Sequence, residues 1–474
     1  INISFKYDFA LVSFVKSLDG RTYLPASKSW SIPLANSMPT LKRLADRGFQ
    51  IDADLLAETK RDEDRAKEAE AMATMDTTEF TTPLPLYGYQ KVGASFLCKI
   101  GSGLLGDEPG CGKTPTVISV AVKGNAEKVL VFCPSVLKYQ WASELEKFLP
   151  GTKTIVIDGS ASERLELWRG DARFYIANYE LLLRDFEAMN CREYDYIFAD
   201  ECTRIQNPSA KQSKAIKKLR SKHRIAMSGT PISNSAQNIW NILDFANPGS
   251  MGSYWNFVTR YCLKNTFGGI YGYQNMTELK EKIRRYTIRR LKKDILPELP
   301  ELVEVDVPFL LSEEEAELQK KIKQELLYDI SKTDISKLEM PQTLQFTIVK
   351  FQRLRQLADS LELLGDNKKS TKLEVLQELL EELKDTDQKI LIFSEFSEMC
   401  KILKRELVQY KPVMIIGATP DKERQNVLSL FNSNPEIKVC ILSSAGQFGL
   451  NLASASVVIN YDLPFSLAKL EQRV

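Results

Sequence analysis

From about Pro85, short runs of apolar, β-branched residues recur at Lys128–Cys133, Thr154–Ile157, Phe174–Ala177, Tyr194–Ala199 and Arg224–Met227, separated by stretches with helical spacing. A run that is apolar throughout, rather than alternating, predicts a strand covered on both faces. Strands of this kind alternating with helices predict a parallel sheet between helical layers. The pattern breaks after Pro248-Gly249 into an aromatic and basic region, followed by a long helical segment from Ser312, and predicts an inserted helical subdomain. From Lys372 the alternation resumes with KILIFSEF, PVMIIG, KVCILSS and SVVINYD, each patterned as a buried strand. Near the start, ISFKYDFALVSFVK, Asp19-Gly20, Pro25, Pro33 and a helical stretch around Leu41–Arg47 predict a small β-rich module. Between Glu58 and Glu70, ETKRDEDRAKEAE has almost no apolar face, as expected of a solvated helix or linker. The expected class is α/β: a β-rich module at 1–50, a charged linker at 51–84, one α/β lobe at 85–247, a helical insertion at 248–365 and a second α/β lobe at 366–474.

At 474 residues the chain is too long for one core and suits two or three domains. Hydrophobic residues at 43% and charged residues at 27% exclude wholesale disorder and fibrous repeats. The 64 Lys+Arg against 62 Asp+Glu neither demand nor exclude a nucleic-acid partner, because one groove can be basic on a balanced protein. Eight scattered cysteines without a CxxC pair fit a reducing, intracellular compartment, and His223 as the only histidine argues against a structural zinc. No run approaches the roughly 18 apolar residues of a membrane span, and no secretory signal opens the chain. Because it opens on Ile1 and stops at Val474 inside a pattern, the chain is expected to be a fragment or to omit unobserved residues.

In GDEPGCGKT (106–114) a glycine-rich turn leads through Lys113 and Thr114 into a helical run. This arrangement lays backbone N–H groups and a helix N-terminus around phosphates. Lys113 suits the β- and γ-phosphates and Thr114 suits Mg²⁺, while the usual leading glycine is Asp107 here. YDYIFADECT (194–203) is an apolar strand ending in Asp200 and Glu201, where a parallel sheet presents carboxylates to a nucleotide at its C-terminal edge. Asp200 suits Mg²⁺ through water, and Glu201 suits orienting or deprotonating the attacking water.

In this order the motifs resemble those of superfamily 2 helicases, and their variants resemble the SNF2 branch, from about Leu86 to Val474. LYGYQ (86–90) is similar to the branch's adenine-reading segment, with Gln90 as reader. DEPGCGKT resembles its phosphate loop, which accounts for Asp107 and implies ATP contacts from Gly110 and Gly112 as well. VLVFCPSVLKYQWASELEKF (129–148), DECT (200–203) and SGTPISN (228–234) resemble motifs Ia, II and III; ILIFSEF (390–396) and the stretch from Ile441 to Asp462, with SSAGQFGLNLASASVVINYD at its heart, resemble motifs IV and V. The resemblance implies two RecA-like lobes that close on ATP and ratchet along a strand. It implies catalytic roles for Lys113, Asp200, Glu201 and Gln472, further ATP contacts from Gly449 and Asn451, and coupling through Ser228 and Thr230.

Sequence-independent gripping of DNA phosphates is implied for Pro134, Ser135, Lys138 and Gln140, for Asn178 and Tyr179, and for Ser394, Ser443, Ser444 and Gly446; Trp141 reads equally as core or contact. KQSKAIKKLRSKHR (211–224) reads equally as a solvated helix face or a DNA stripe. Arg289 and Arg290 in IRRLKKD match the branch's segment between the lobes and are expected to act at the lobe interface or to brace it. The family's motif VI continues past Gln472 and Arg473 to arginines that would follow Val474.

FVKSLDGRTYLPASKSWSIPL (14–34) resembles the HARP-type module found ahead of annealing helicases. Lys16, Arg21 and Lys28 suit phosphates, and Tyr23 and Trp30 suit stacking on exposed bases, unless these aromatics form the module's own core. The whole implies an ATP- and Mg²⁺-dependent DNA translocase, monomeric on forked, branched or duplex DNA. The expected setting is the cytoplasm of a bacterium or phage-infected cell, or the nucleus of a eukaryote. The expected activity is fork regression, annealing or branch migration. The alternatives are a motor that displaces proteins from DNA and a nucleotide-gated DNA clamp with little turnover.

Overall fold

The computed structural model describes the chain except residues 6, 19–20, 25–27, 33–37, 73–79, 81, 232–234, 266–268, 296–301, 333–339, 366–369, 385, 445–451, 453, 466–469, 471–472 and 474. The chain divides into two units, Ile1–Pro300 and Glu301–Val474.

The first unit begins with three short strands, β1 (Asn2–Ile3), β2 (Thr22–Leu24) and β3 (Ser29–Ser31), antiparallel in the order β1-β3-β2. Part of the stretch expected to be strands is instead the helix Phe9–Lys16. Asp8 caps it, its carboxylate accepting from the Leu11 amide at 2.9 Å, and Val15 is buried in the module's core. An N-cap that satisfies an orphan amide, together with one apolar face, outweighs local strand propensity here. The module is therefore mixed rather than β-rich, and the charged stretch that follows is the 20-residue helix Ala53–Met72.

The dominant sheet is built from β4 (Gly103–Leu105), β5 (Val129–Cys133), β6 (Thr154–Val156), β7 (Phe174–Asn178), β8 (Tyr194–Ala199) and β9 (Ser221–Met227). After a hairpin of β10 (Cys262–Lys264) and β11 (Ile270–Tyr273), β12 (Thr287–Ile288) joins its edge. The order is β12-β4-β9-β8-β5-β7-β6, parallel throughout. Alternate residues feed opposite cores. Leu130 and Phe132 pack on one face, whereas Val129, Val131 and Cys133 pack on the other. Burial on both faces explains why these strands read as continuous apolar runs, each large side chain contributing about 1.5–3 kcal/mol.

The expected helical insertion at 248–365 is divided between the two units. Phe257, Val258, Tyr261 and Leu279 pack into the first unit's core, and β12 extends its sheet. A two-residue edge strand carries too little periodicity to be recognised before its partner is known. The second unit holds the helices Glu313–Lys332 and Met340–Asp359, then a parallel sheet of β13 (Lys389–Ser394), β14 (Val413–Ile415), β15 (Val439–Ser443) and β16 (Ala455–Asn460) in the order β14-β15-β13-β16. Ile390 and Ile392 face one core, and Leu391 and Phe393 the other. No helix among the described residues is long and apolar enough to cross a membrane.

Candidate functional site

Three neighbouring strands of the large sheet end level. Leu105 of β4 pairs with Met227 of β9, and Ala199 of β8 pairs with Ala226. The segments beginning at Asp107, Ser228 and Asp200 therefore leave adjoining points of the C-terminal edge, where open α/β sheets bind ligands.

The segment after β4 turns through Gly110 and Gly112 into the helix Lys113–Lys123. Gly112 is its N-cap at φ 71°, and a Cβ there would collide with the Gln90 amide. Only glycine combines this left-handed backbone with so close an approach. Gln90 is buried; its Nε2 donates to Cys111 O at 3.2 Å and its Oε1 accepts from the Tyr87 amide at 3.0 Å. Lys113 Nζ donates to the carbonyls of Asp107 and Glu108 at 3.0 and 3.2 Å, which gathers the loop around one ammonium. Thr114 lies in the first turn of the helix, half-buried.

Asp107, expected as a nucleotide contact, is engaged by the segment after β12. It is fully buried, and its carboxylate accepts from the Arg290 backbone amide and Nε, each at 3.0 Å, and from Arg290 Nη2. Arg290 also donates to Tyr89 O, and Gly93 leaves the space its guanidinium occupies. Arg290 therefore sits against the phosphate loop within the first unit, while its neighbour Arg289 is exposed. The segment after β12 holds the loop at two further points: Glu108 N donates to Arg290 O at 3.3 Å, and Lys292 N donates to Glu108 Oε2 at 2.6 Å.

The carboxylates after β8 are held from behind. Trp141 Nε1 donates to Asp200 Oδ2 at 2.9 Å, the Glu201 amide donates to Asp200 Oδ1 at 3.0 Å, and Tyr179 Oη donates to Asp200 O at 2.7 Å. Glu201 adopts φ 47°, ψ 53°. This is a left-handed conformation costing a non-glycine residue about 1–2 kcal/mol, of the kind that concentrates at functional sites. Burial pushes the Asp200 carboxyl above its usual range, opposed by the Trp141 bond and Lys113. Burial, then the neighbouring Asp200 charge, pushes Glu201 up to about 7. The Ser228 side chain bonds Glu201, and Ser228 Oγ accepts from the Thr230 amide at 3.2 Å. The structure thus brings together Lys113, Asp200, Glu201, Ser228 and Thr230.

The donor set fits a Mg²⁺–nucleoside triphosphate: an ammonium and a helix N-terminus suit phosphates, and a hydroxyl with a fixed carboxylate suits a hard cation. Lys113 and the loop amides would hold the phosphates, and Thr114 and Asp200 would hold the metal. When bound, Mg²⁺ would neutralise charge on the phosphate oxygens.

Several residues expected to grip DNA are turned inward. Lys138 is buried, its Nζ bonded to Ile157 O at 3.1 Å and paired with Asp158 at 3.0 Å. Tyr179 is buried beneath Asp200, and Pro134 is buried. Ser394 donates to Asp462 Oδ2 at 2.6 Å in the second unit's interior, and Ser443, its register partner, is also buried. Lys138, Tyr179 and Ser394 lie against packed cores, so their polar groups bond partners inside the fold. Ser135 and Gln140 are half-buried, Asn178 bonds Glu180 at 2.7 Å, and Ser444 donates its amide to Ser394 O at 3.1 Å. Within 211–224, Lys217 pairs with Asp244 and Lys222 with Asp195, and residues from Ser221 form a strand. Gly446, Gly449, Asn451 and Gln472 lie outside the described residues.

In the amino-terminal module, Lys16, Arg21, Tyr23 and Lys28 are exposed; Trp30 is half-buried against the core and pairs with Tyr23 at 5.1 Å between ring centroids. Sequence reading missed the support that Trp141 and Tyr179 give to Asp200 and that Arg290 gives to the phosphate loop. Their partners lie 59, 21 and 183 positions away, beyond any local pattern.

Residues 56–361 match the SNF2-related domain, and residues 371–474 match the helicase conserved C-terminal domain. The chain is 30% identical to the ATP-dependent helicase/translocase YwqA of Bacillus subtilis over 79% of its own length and 42% of that protein. It is 27% identical to the DNA excision repair protein CSB of Oryza sativa over 85% and 39%. It thus spans less than half the length of these curated relatives. Among solved structures, the Sulfolobus solfataricus SWI2/SNF2 ATPase core in complex with dsDNA is 33% identical, covers 82% of this chain and 84% of that one, and has a TM-score of 0.43.

Proposed function

Because this chain belongs to the SNF2-related family, we propose that it is an ATP- and Mg²⁺-dependent DNA translocase that remodels branched DNA by fork regression, strand annealing or branch migration. The observation that carries the reading is the convergence of Lys113, Asp200, Glu201 and Ser228 at one sheet edge. In this reading Lys113 binds the phosphates, Asp200 positions the metal, and Glu201 orients the attacking water and takes its proton. Its raised proton affinity near neutrality suits a general base. Ser228, bonded to Glu201 and at the end of β9, would carry the state of the phosphates toward the segment at Thr230. The amino-terminal module, with exposed Lys16, Arg21 and Tyr23, would direct the motor to junctions, in the cytoplasm of a bacterium or phage-infected cell.

Steady-state ATP hydrolysis, compared without DNA and with single-stranded, linear duplex, forked and four-way junction DNA, tests this. Strongest stimulation by branched DNA, lost on deleting residues 1–50, is expected. Equal stimulation by plain duplex turns the reading toward a motor that displaces proteins. DNA binding without turnover turns it toward a clamp.

A further inference from the structure

Trp255 stands 70% exposed in the first turn of the helix Tyr254–Tyr261 and lines two grooves of the first unit. One, of 660 Å³, is shared with the amino-terminal module, which contributes Lys16, Arg21 and Trp30. The other, of 540 Å³, reaches the β10–β11 hairpin, which contributes Lys264 and Tyr273. Among the described residues lining both grooves are three cations and no carboxylate, in a chain whose 64 Lys+Arg nearly balance 62 Asp+Glu. Neither groove includes a residue of the phosphate loop or of the segments after β5 and β7.

Cations spaced between aromatic rings suit a polyanion carrying flat, stackable groups. A duplex keeps its bases stacked inside, so aromatic side chains reach base faces only where strands are unpaired. An acidic peptide would satisfy the cations but would leave the exposed rings of Trp255 and Tyr273 without planar partners. We infer that the two grooves form one track for an unpaired DNA strand, with Trp255 stacking on a base where they meet and Lys16, Arg21 and Lys264 on the phosphates. The inference rests on the DNA-motor reading and adds to it a second strand-binding surface, separate from the nucleotide site.

The test is fluorescence anisotropy of the full chain with labelled oligo(dT) and with blunt duplex, beside ATP hydrolysis in the same preparations. Trp255→Ala is expected to weaken oligo(dT) binding about tenfold, from the loss of one stacked base, with duplex affinity changed less than twofold. Trp255→Phe is expected to keep most of the affinity, and Lys264→Gln to lower the salt dependence of oligo(dT) binding by about one unit of slope. Oligo(dT) affinity within twofold of wild type in Trp255→Ala overturns the track, and so does equal weakening toward duplex. DNA-stimulated hydrolysis reports separately on the motor, so the track can fail while the motor stands, and a selective loss of oligo(dT) binding supports the track even without turnover.

Discussion

Arg290 and Asp107, 183 positions apart in the chain, form a buried ion pair at the phosphate loop, with the guanidinium donating to both carboxylate oxygens. Asp107 stands where the common phosphate-loop pattern has glycine. Its side chain fastens the loop to the segment after β12.

Removing one member of this pair strands the other in the interior, at a cost of about 3–5 kcal/mol. Arg290→Ala is therefore expected to lower the denaturant midpoint of the first unit and to weaken ATP binding together with it. Arg290→Lys is expected to recover little, since an ammonium cannot reproduce the two-pronged contact. Chemical denaturation with and without nucleotide checks both.

Lys113→Ala should abolish tight ATP binding, whereas Glu201→Gln should leave binding intact and lower turnover by about 10²–10⁴, the usual contribution of a general base. Equilibrium binding of a fluorescent ATP analogue beside steady-state turnover separates the two. Normal turnover in Glu201→Gln would remove it from the role of base.

Trp141→Phe keeps the ring but loses the donor to Asp200, a hydrogen bond to a charged group worth about 1.5–3 kcal/mol. Asp200 is then less firmly aimed, and the Mg²⁺ concentration giving half-maximal hydrolysis is expected to rise about tenfold or more. A Mg²⁺ titration at saturating ATP reads this directly. An unchanged midpoint would make Trp141 a core residue only.

Lys138→Met is expected to destabilise the first unit, because it leaves Asp158 and Ile157 O without their buried partner, while DNA affinity stays within twofold of wild type. A large selective loss of DNA affinity would show instead that the ammonium turns outward on binding.

In the second unit, Asp359 is buried and its carboxyl is pushed up to about 7, first by burial and then by the Asp462 carboxylate, against Lys372, which pairs with it at 2.6 Å. A folded value above the unfolded value of about 3.9 means that the fold favours the protonated form. The resulting stability is fully present below about pH 4 and is lost as the pH rises through 7. Asp359→Asn should flatten this dependence, as seen by thermal melts of wild type and variant at pH 5 and 8.5.

Strands β5, β7, β8 and β13 were legible in the sequence because each is largely buried on both faces, so their central residues are almost all apolar. The phosphate loop, Asp200 and Glu201 were legible because their chemistry needs particular residue types a few positions apart. β4 and β12 were not legible; at three and two residues they are strands only because a neighbour supplies hydrogen bonds. By itself, then, the sequence determined the α/β class, the strand–helix rhythm and the residues at the nucleotide edge, all of which rest on local periodicity or short spacing. Only the tertiary structure decided that Arg290 serves the phosphate loop, that Lys138 and Ser394 face inward, and that Trp255 meets the amino-terminal module across one groove. Burial and partnership at these places depend on which distant segments pack together, and no local pattern carries that information.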